Sequence, residues 1–191
     1  TNVSSGVSEN EELLPASPYD VNKYALNKLT CDPFEDQDQG VDTPQGGIKA
    51  KLHYRGDGQD RWYSAQEYFD LGVASDKHLF FSQLNVATRL FNKGFPTETG
   101  GLIEDDQGNT LIEYFALDFT GAIKLGPEDT EGTYQLAILS DDGTVLQFED
   151  LDGGYETFLD NDGDHPTRLG CGGTIEMTRE TRKAFRLKYY Q

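Results

Sequence analysis

Residues 132–148 read GTYQLAILSDDGTVLQF, and their pattern decides the fold. Tyr134, Leu136 and Ile138 fall on one face of an extended segment and Gln135, Ala137 and Leu139 on the other, the period of two that a strand imposes. Ser140-Asp141-Asp142-Gly143 then supplies turn chemistry, because Asp side chains bond their own backbone and Gly accepts the dihedrals of a tight reversal. Thr144 to Phe148 follows as a second strand.

The same signals recur on either side. Upstream, Ile112 to Leu125 (IEYFALDFTGAIKL) reads as a long strand with a bend or bulge at Gly121, closed by Gly126-Pro127. Ile48 to Tyr54 reads as another strand, and Gly56-Asp57-Gly58 as a turn. A less regular aromatic region follows around Trp62, Tyr63, Tyr68 and Phe69, with Trp62 assigned to packing. Downstream, Thr174 to Met177 and Lys183 to Tyr190 are strands, the last placing Phe185, Leu187 and Tyr189 opposite Arg186, Lys188 and Tyr190. Short strands separated by glycine turns, with no repeating βα unit, predict an all-β domain, an antiparallel β-sandwich or barrel.

Residues 1–46 differ in character. The stretches 1–15 and 35–46 are acidic, turn-rich coil, and between them Ser17 as N-cap, Pro18 at the first helical position and Val21, Tyr24, Ala25 and Leu29 predict one short helix. The chain thus divides into an N-terminal extension, 1–46, and a β domain, 47–191.

Composition narrows the function. Against 34 Asp+Glu stand 16 Lys+Arg, a net charge of −18, so nucleic acid and anionic membrane are poor partners. No apolar run reaches the roughly 18 residues of a spanning helix. Met177 is the only methionine, so the chain starting at Thr1 is expected to be a processed or trimmed product with its signal sequence removed. Cys31 and Cys171 fit one long-range disulfide of an exported protein, worth about 4 to 5 kcal/mol on the chain-entropy model; two buried free thiols are the other reading.

Common catalytic patterns are missing: no G-x-S-x-G elbow, no H-E-x-x-H and no phosphate-binding loop. Only His53, His78 and His165 are of the residue type that carries protons at neutral pH. Two acidic loops stand out instead, Ser140-Asp141-Asp142-Gly143 and Asp160-Asn161-Asp162-Gly163-Asp164-His165. Carboxylates, an Asn amide and loop carbonyls are the oxygen donors that calcium takes, six to eight at about 2.3 to 2.6 Å. The second loop is not a helix-loop-helix calcium site, since His165 stands where the turn glycine belongs and Cys171 where the bidentate Glu belongs. Both loops are equally readable as simple Asp/Asn/Gly turns.

The run Phe119-Thr120-Gly121-Ala122-Ile123, then Gly132-Thr133-Tyr134, Leu136, Ile138, Ser140-Asp141-Asp142-Gly143 and Leu146, resembles the central signature of the fourteen-kilodalton protective-antigen domain family. This is a β-sandwich module of bacterial toxins, surface proteins, glycosidases and yeast flocculins. Looser similarity extends from Gly47 to Tyr190. In glycan-binding members the two adjacent aspartates, matched here by Asp141 and Asp142, are joined by a cis peptide and bind calcium. A loop asparagine, matched by Asn161, completes the shell with backbone carbonyls, and sugar hydroxyls replace water on the ion.

The resemblance implies a non-catalytic, calcium-dependent carbohydrate-binding or adhesion module of a secreted, periplasmic or cell-surface protein, with a cell-surface or matrix glycan as partner. The expected metal ligands are Asp141, Asp142, Asn161, Asp162 and Asp164; Asp141, Asp142 and His165 are the expected ligand-binding residues. The alternatives are a protein- or peptide-interaction module of an envelope protein and, further off, an accessory domain of a glycosidase.

Overall fold

The structure, a computed structural model, describes residues 30–31, 48–81, 84–86, 90–97 and 101–191. The N-terminal helix expected between Ser17 and Leu29, the acidic coils around it and the 46/47 boundary lie outside the described residues.

The fold is an all-β sandwich of two antiparallel sheets. Its strands are β1 (Thr30–Cys31), β2 (Ile48–Tyr54), β3 (Val73–Phe81), β4 (Phe115–Ile123), β5 (Gly132–Ser140), β6 (Thr144–Glu149), β7 (Tyr155–Asn161), β8 (Arg168–Met177) and β9 (Lys183–Tyr190). A helix α1 (Ala65–Leu71) joins β2 to β3, and one 3-10 turn spans Phe91–Lys93. The large sheet runs β3-β2-β4-β9-β6-β7, with β1 added beside the end of β4; the small sheet is β5-β8. Thr30 and Cys31 pair with Ile123 and Ala122, so the N-terminal extension contributes a strand to the domain.

Alternation does what the sequence pattern requires. Ile48, Ala50, Leu52 and Tyr54 of β2 point inward with Phe115, Leu117 and Phe119 of β4, and with Leu146, Phe148 and Phe185, to form the core. Tyr134, Leu136 and Ile138 pack onto it from the small sheet, while Gln135, Ala137 and Leu139 are exposed. Each large apolar side chain so buried stabilises the fold by about 1.5–3 kcal/mol. The bulge expected at Gly121 is not there: β4 and β9 keep an unbroken register in which Gly121 lies opposite Phe185, a small residue beside a large one. Register irregularities fall elsewhere, on β3 opposite Lys51 and His53, on β7 opposite Leu146 and Gln147, and on β8, where Gln135 pairs with Thr174 and Ala137 with Cys171. Gly172 absorbs the extra step beneath the Phe158 ring, which a Cβ at Gly172 would meet at 2.7 Å.

The outward face of the large sheet carries a second cluster in which Trp62, Ala65 and Tyr68 cover Ala116 and Tyr190. Trp62 is thus a packing residue, set edge-on to Tyr68 with ring centroids 5.0 Å apart. Ser64 starts α1 by accepting the Glu67 N–H at 3.3 Å, and the Glu67 carboxylate accepts the Tyr63 N–H at 2.9 Å, a form of capping box. On the same face Arg186 binds Asp118 bidentately, both contacts 2.7 Å.

The structure shows no Cys31–Cys171 bridge, and the Cys31 side chain lies outside what it describes. Cys171 is a free, exposed thiol on the small sheet opposite Ala137, whereas the backbone of Cys31 pairs with Ala122 in the large sheet.

Candidate functional site

The β5–β6 turn, the β7–β8 loop and the end of β9 meet at one end of the sandwich. The Tyr190 N–H donates to the Gly143 carbonyl at 3.0 Å, and the approach is so close that a Cβ on Gly143 would lie 2.2 Å from the Tyr190 ring and 2.3 Å from Asp162 Oδ1. Only glycine fits there. Between the loops, the His165 N–H donates to Asp142 Oδ1 at 3.2 Å and the Thr167 hydroxyl to Asp141 Oδ2 at 3.2 Å. The two acidic loops therefore converge, as the sequence pattern suggested.

The Asp141–Asp142 peptide is trans, since the described residues contain no cis peptide bond, and Asp142 turns instead through a φ of 20°. Its carboxylate is half-buried, and among the described residues its second oxygen accepts from the Gln191 side-chain amide, at 3.3 Å. Burial pushes the Asp142 carboxyl above the usual carboxylate range, and the neighbouring charges of Asp164 and Asp141 add to this against the His165 N–H.

The calcium shell expected from Asp141, Asp142, Asn161, Asp162 and Asp164 is not assembled. Asn161 is buried and its Oδ1 accepts from Arg168 Nε at 2.7 Å, while its Nδ2 donates to Ser140 Oγ at 2.9 Å. Asp162 Oδ1 accepts the Ala65 N–H at 3.1 Å. Asp164 is bound by Arg61 and by the Tyr190 hydroxyl at 2.8 Å. Among the described residues no group of three or more His, Cys, Asp or Glu is placed to share an ion. The residues present do not fit calcium as a ready-made site, because their oxygens are turned to protein donors. His165 likewise faces the loop, its ring nitrogens 2.9 Å from the Asn161 carbonyl oxygen and 3.0 Å from that of Pro166.

Beside Asp142 opens a hollow of about 100 Å³ whose lining includes Arg61, Trp62, Tyr114, Asp142, Asp164 and Gln191. Tyr114 is held there with a φ of 63°, a conformation that costs a non-glycine residue about 1–2 kcal/mol. The Arg55 guanidinium lies 3.6 Å from its ring centroid. Sequence reasoning assigned no binding role to Arg61, Tyr114 or Gln191. The Ser64-x-x-Glu67 capping pattern marks the start of the helix after Trp62, but no local signal tells that this segment packs beside the acidic loops.

In comparisons with protein-family models and with curated proteins, the chain matches none.

Proposed function

We propose that this chain is a non-catalytic carbohydrate-binding or adhesion module of an exported or cell-surface protein, with the sugar bound in the hollow at Asp142. The observation that carries this reading is the state of the Asp142 carboxylate. It is half-buried, faces a cavity with aromatic lining, and among the described residues accepts long contacts from two neutral donors, at 3.2 and 3.3 Å. A carboxylate is an acceptor with capacity for several hydrogens, and a vicinal diol brings two hydroxyl donors at fixed spacing. Trp62 and Tyr114 give the hollow the aromatic lining that small-molecule sites use beside a few polar groups. The hollow is well below the ~300–1,000 Å³ of drug-sized pockets, so a ligand there is held on one side and stays partly in solvent. The resemblance to the protective-antigen family supports the same end of the sandwich.

The test is a glycan array followed by microcalorimetry at millimolar sugar, since a weak site of this kind yields only about 4 kcal/mol. Retention of a glycan by the wild type and its loss in Asp142→Ala are expected. Binding unchanged in that variant, or no glycan retained at any concentration, overturns the reading.

A second reading, a peptide-interaction module, is favoured by the edge of the small sheet. Among the described residues β5 pairs with β8 alone, and its nine residues include neither Pro nor a charge, the devices that usually protect an edge. An extended peptide would add there as a strand. An Ala137→Lys variant that loses a captured peptide but keeps glycan binding would favour this reading over the first.

A further inference from the structure

Arg168 makes an arrangement that the carbohydrate-binding reading does not use. Its Nε donates to Asn161 Oδ1 at 2.7 Å, and a terminal nitrogen of the same guanidinium donates to the Asp162 carbonyl at 3.1 Å. The Arg168 carbonyl closes the ring by accepting from Asn161 Nδ2 at 3.3 Å. Among the described residues no carboxylate pairs with this guanidinium. Its charge is directed at two neutral oxygens, one an Asn amide and one a backbone carbonyl, in a loop crowded with Asp160, Asp162 and Asp164.

Those are the oxygens that a hard cation takes from a loop. A guanidinium presents its donors in a rigid plane and stays charged at any relevant pH, so it can bridge both oxygens at once. The Asn161 side chain is set for this role. It is 2% exposed, and a Cβ on Gly170 would come within 2.8 Å of its Cβ, so the strand after the loop leaves it room only because residue 170 is glycine.

We propose that Arg168 is a built-in replacement for a divalent cation: it holds the β7–β8 loop against Ser140 and the β5–β6 turn, and the domain keeps this shape without calcium. The inference does not depend on whether the ligand is a sugar.

Thermal melting of the full chain, in calcium and in chelator, tests it. The wild type is expected to melt at one temperature in both. Arg168→Gln removes the charge and one of the two bridges, and is expected to melt about 2–6 °C lower in chelator and to recover part of that loss in calcium, which then reaches the freed oxygens. A wild type stabilised by calcium, an Arg168→Gln variant as stable as the wild type, or a destabilised variant that calcium does not help would each overturn the proposal. Should the variant fail to fold, calorimetric titration of the wild type with calcium chloride decides alone: no binding heat is expected, and a saturable one counts against the built-in cation.

Discussion

The Tyr190 hydroxyl lies 2.8 Å from Asp164 Oδ1 and 2.9 Å from the Tyr63 carbonyl oxygen, so its single proton is shared between the β7–β8 loop and the segment leading into α1. Tyr190 is 1% exposed, and burial raises its hydroxyl's pKa, with the Asp164 hydrogen bond adding to the effect. It stays protonated at physiological pH. Tyr190→Phe keeps the ring stacked on Tyr68, where the centroids are 5.3 Å apart, and removes only the bond. A loss of about 1–2 kcal/mol in denaturant unfolding is expected, together with faster amide exchange at Tyr63 and Ser64.

Asp142→Asn should stabilise the protein and weaken sugar binding together. Because burial raises its pKa in the folded state, the folded chain binds more protons than the unfolded one between the ordinary carboxylate value and the raised value. Stability attributable to Asp142 therefore falls as pH rises through that window, and the cost persists at neutral pH. Asparagine keeps the acceptor for His165 and tolerates the positive φ. A rise of about 1–2 °C in melting temperature at pH 7 is expected, vanishing below the ordinary carboxylate pKa; a fall at pH 7 would contradict the desolvation argument.

His53 predicts the opposite pH behaviour on the outward face. Its Nδ1 is buried with no partner, its ring lies against Phe69 with centroids 4.9 Å apart, and burial is the main cause that lowers its pKa. The unfolded chain then binds the proton more readily. The contribution of His53 is complete above about pH 6.5 and is lost as pH falls toward the lowered folded value. In His53→Leu, urea midpoints measured from pH 7 to 5 should decline less steeply than in the wild type.

The Asp118–Arg186 pair should show the asymmetry of ion pairs withdrawn from water. Asp118 is 9% exposed and Arg186 32%, so Asp118→Asn leaves a half-buried guanidinium without its counter-charge. A cost of about 2–3 kcal/mol is expected, below the value for a fully buried pair because Arg186 still reaches solvent. The double variant Asp118→Leu/Arg186→Met should lose less than the single one. A larger loss in the double variant, measured by urea unfolding, would show that the pair is a net stabiliser.

The strands legible in the sequence are those with one face in the core. β5 and β9 alternate cleanly because residues such as Ile138 and Phe185 have apolar company on one side only. β3 escaped notice because it is an edge strand, exposed along most of Val73–Phe81 and buried only at Phe81; β7 is likewise open over its first half. Helix α1 spans seven residues and buries only Ala65 and Tyr68, too few for a helical period to emerge. At the site, the convergence of Asp141 and Asp142 with the loop from Asp162 to His165 was readable because two turns flank consecutive hairpin strands. The role of Arg168 was not. A basic residue at the start of a strand carries no sign of which oxygen it will bind, and that depended on the space left by Gly170.

Strand order also determines how the domain would carry a load. β2 and β9 flank β4, and both are antiparallel to it, so they run parallel to each other. Ile48 opens β2 at one end of the sheet, while Tyr190 closes β9 at the other. A pull entering at Ile48 and leaving at Gln191 is therefore directed along the strands, and it opposes six registered pairs between β2 and β4 in series with eight between β4 and β9. A load along the strands is borne by all the pairs of a ladder at once, and resistance to forced unfolding is set by the unfolding rate. With β9 at the centre of the sheet, a load along the strands passes into its ladders with β4 and β6 together.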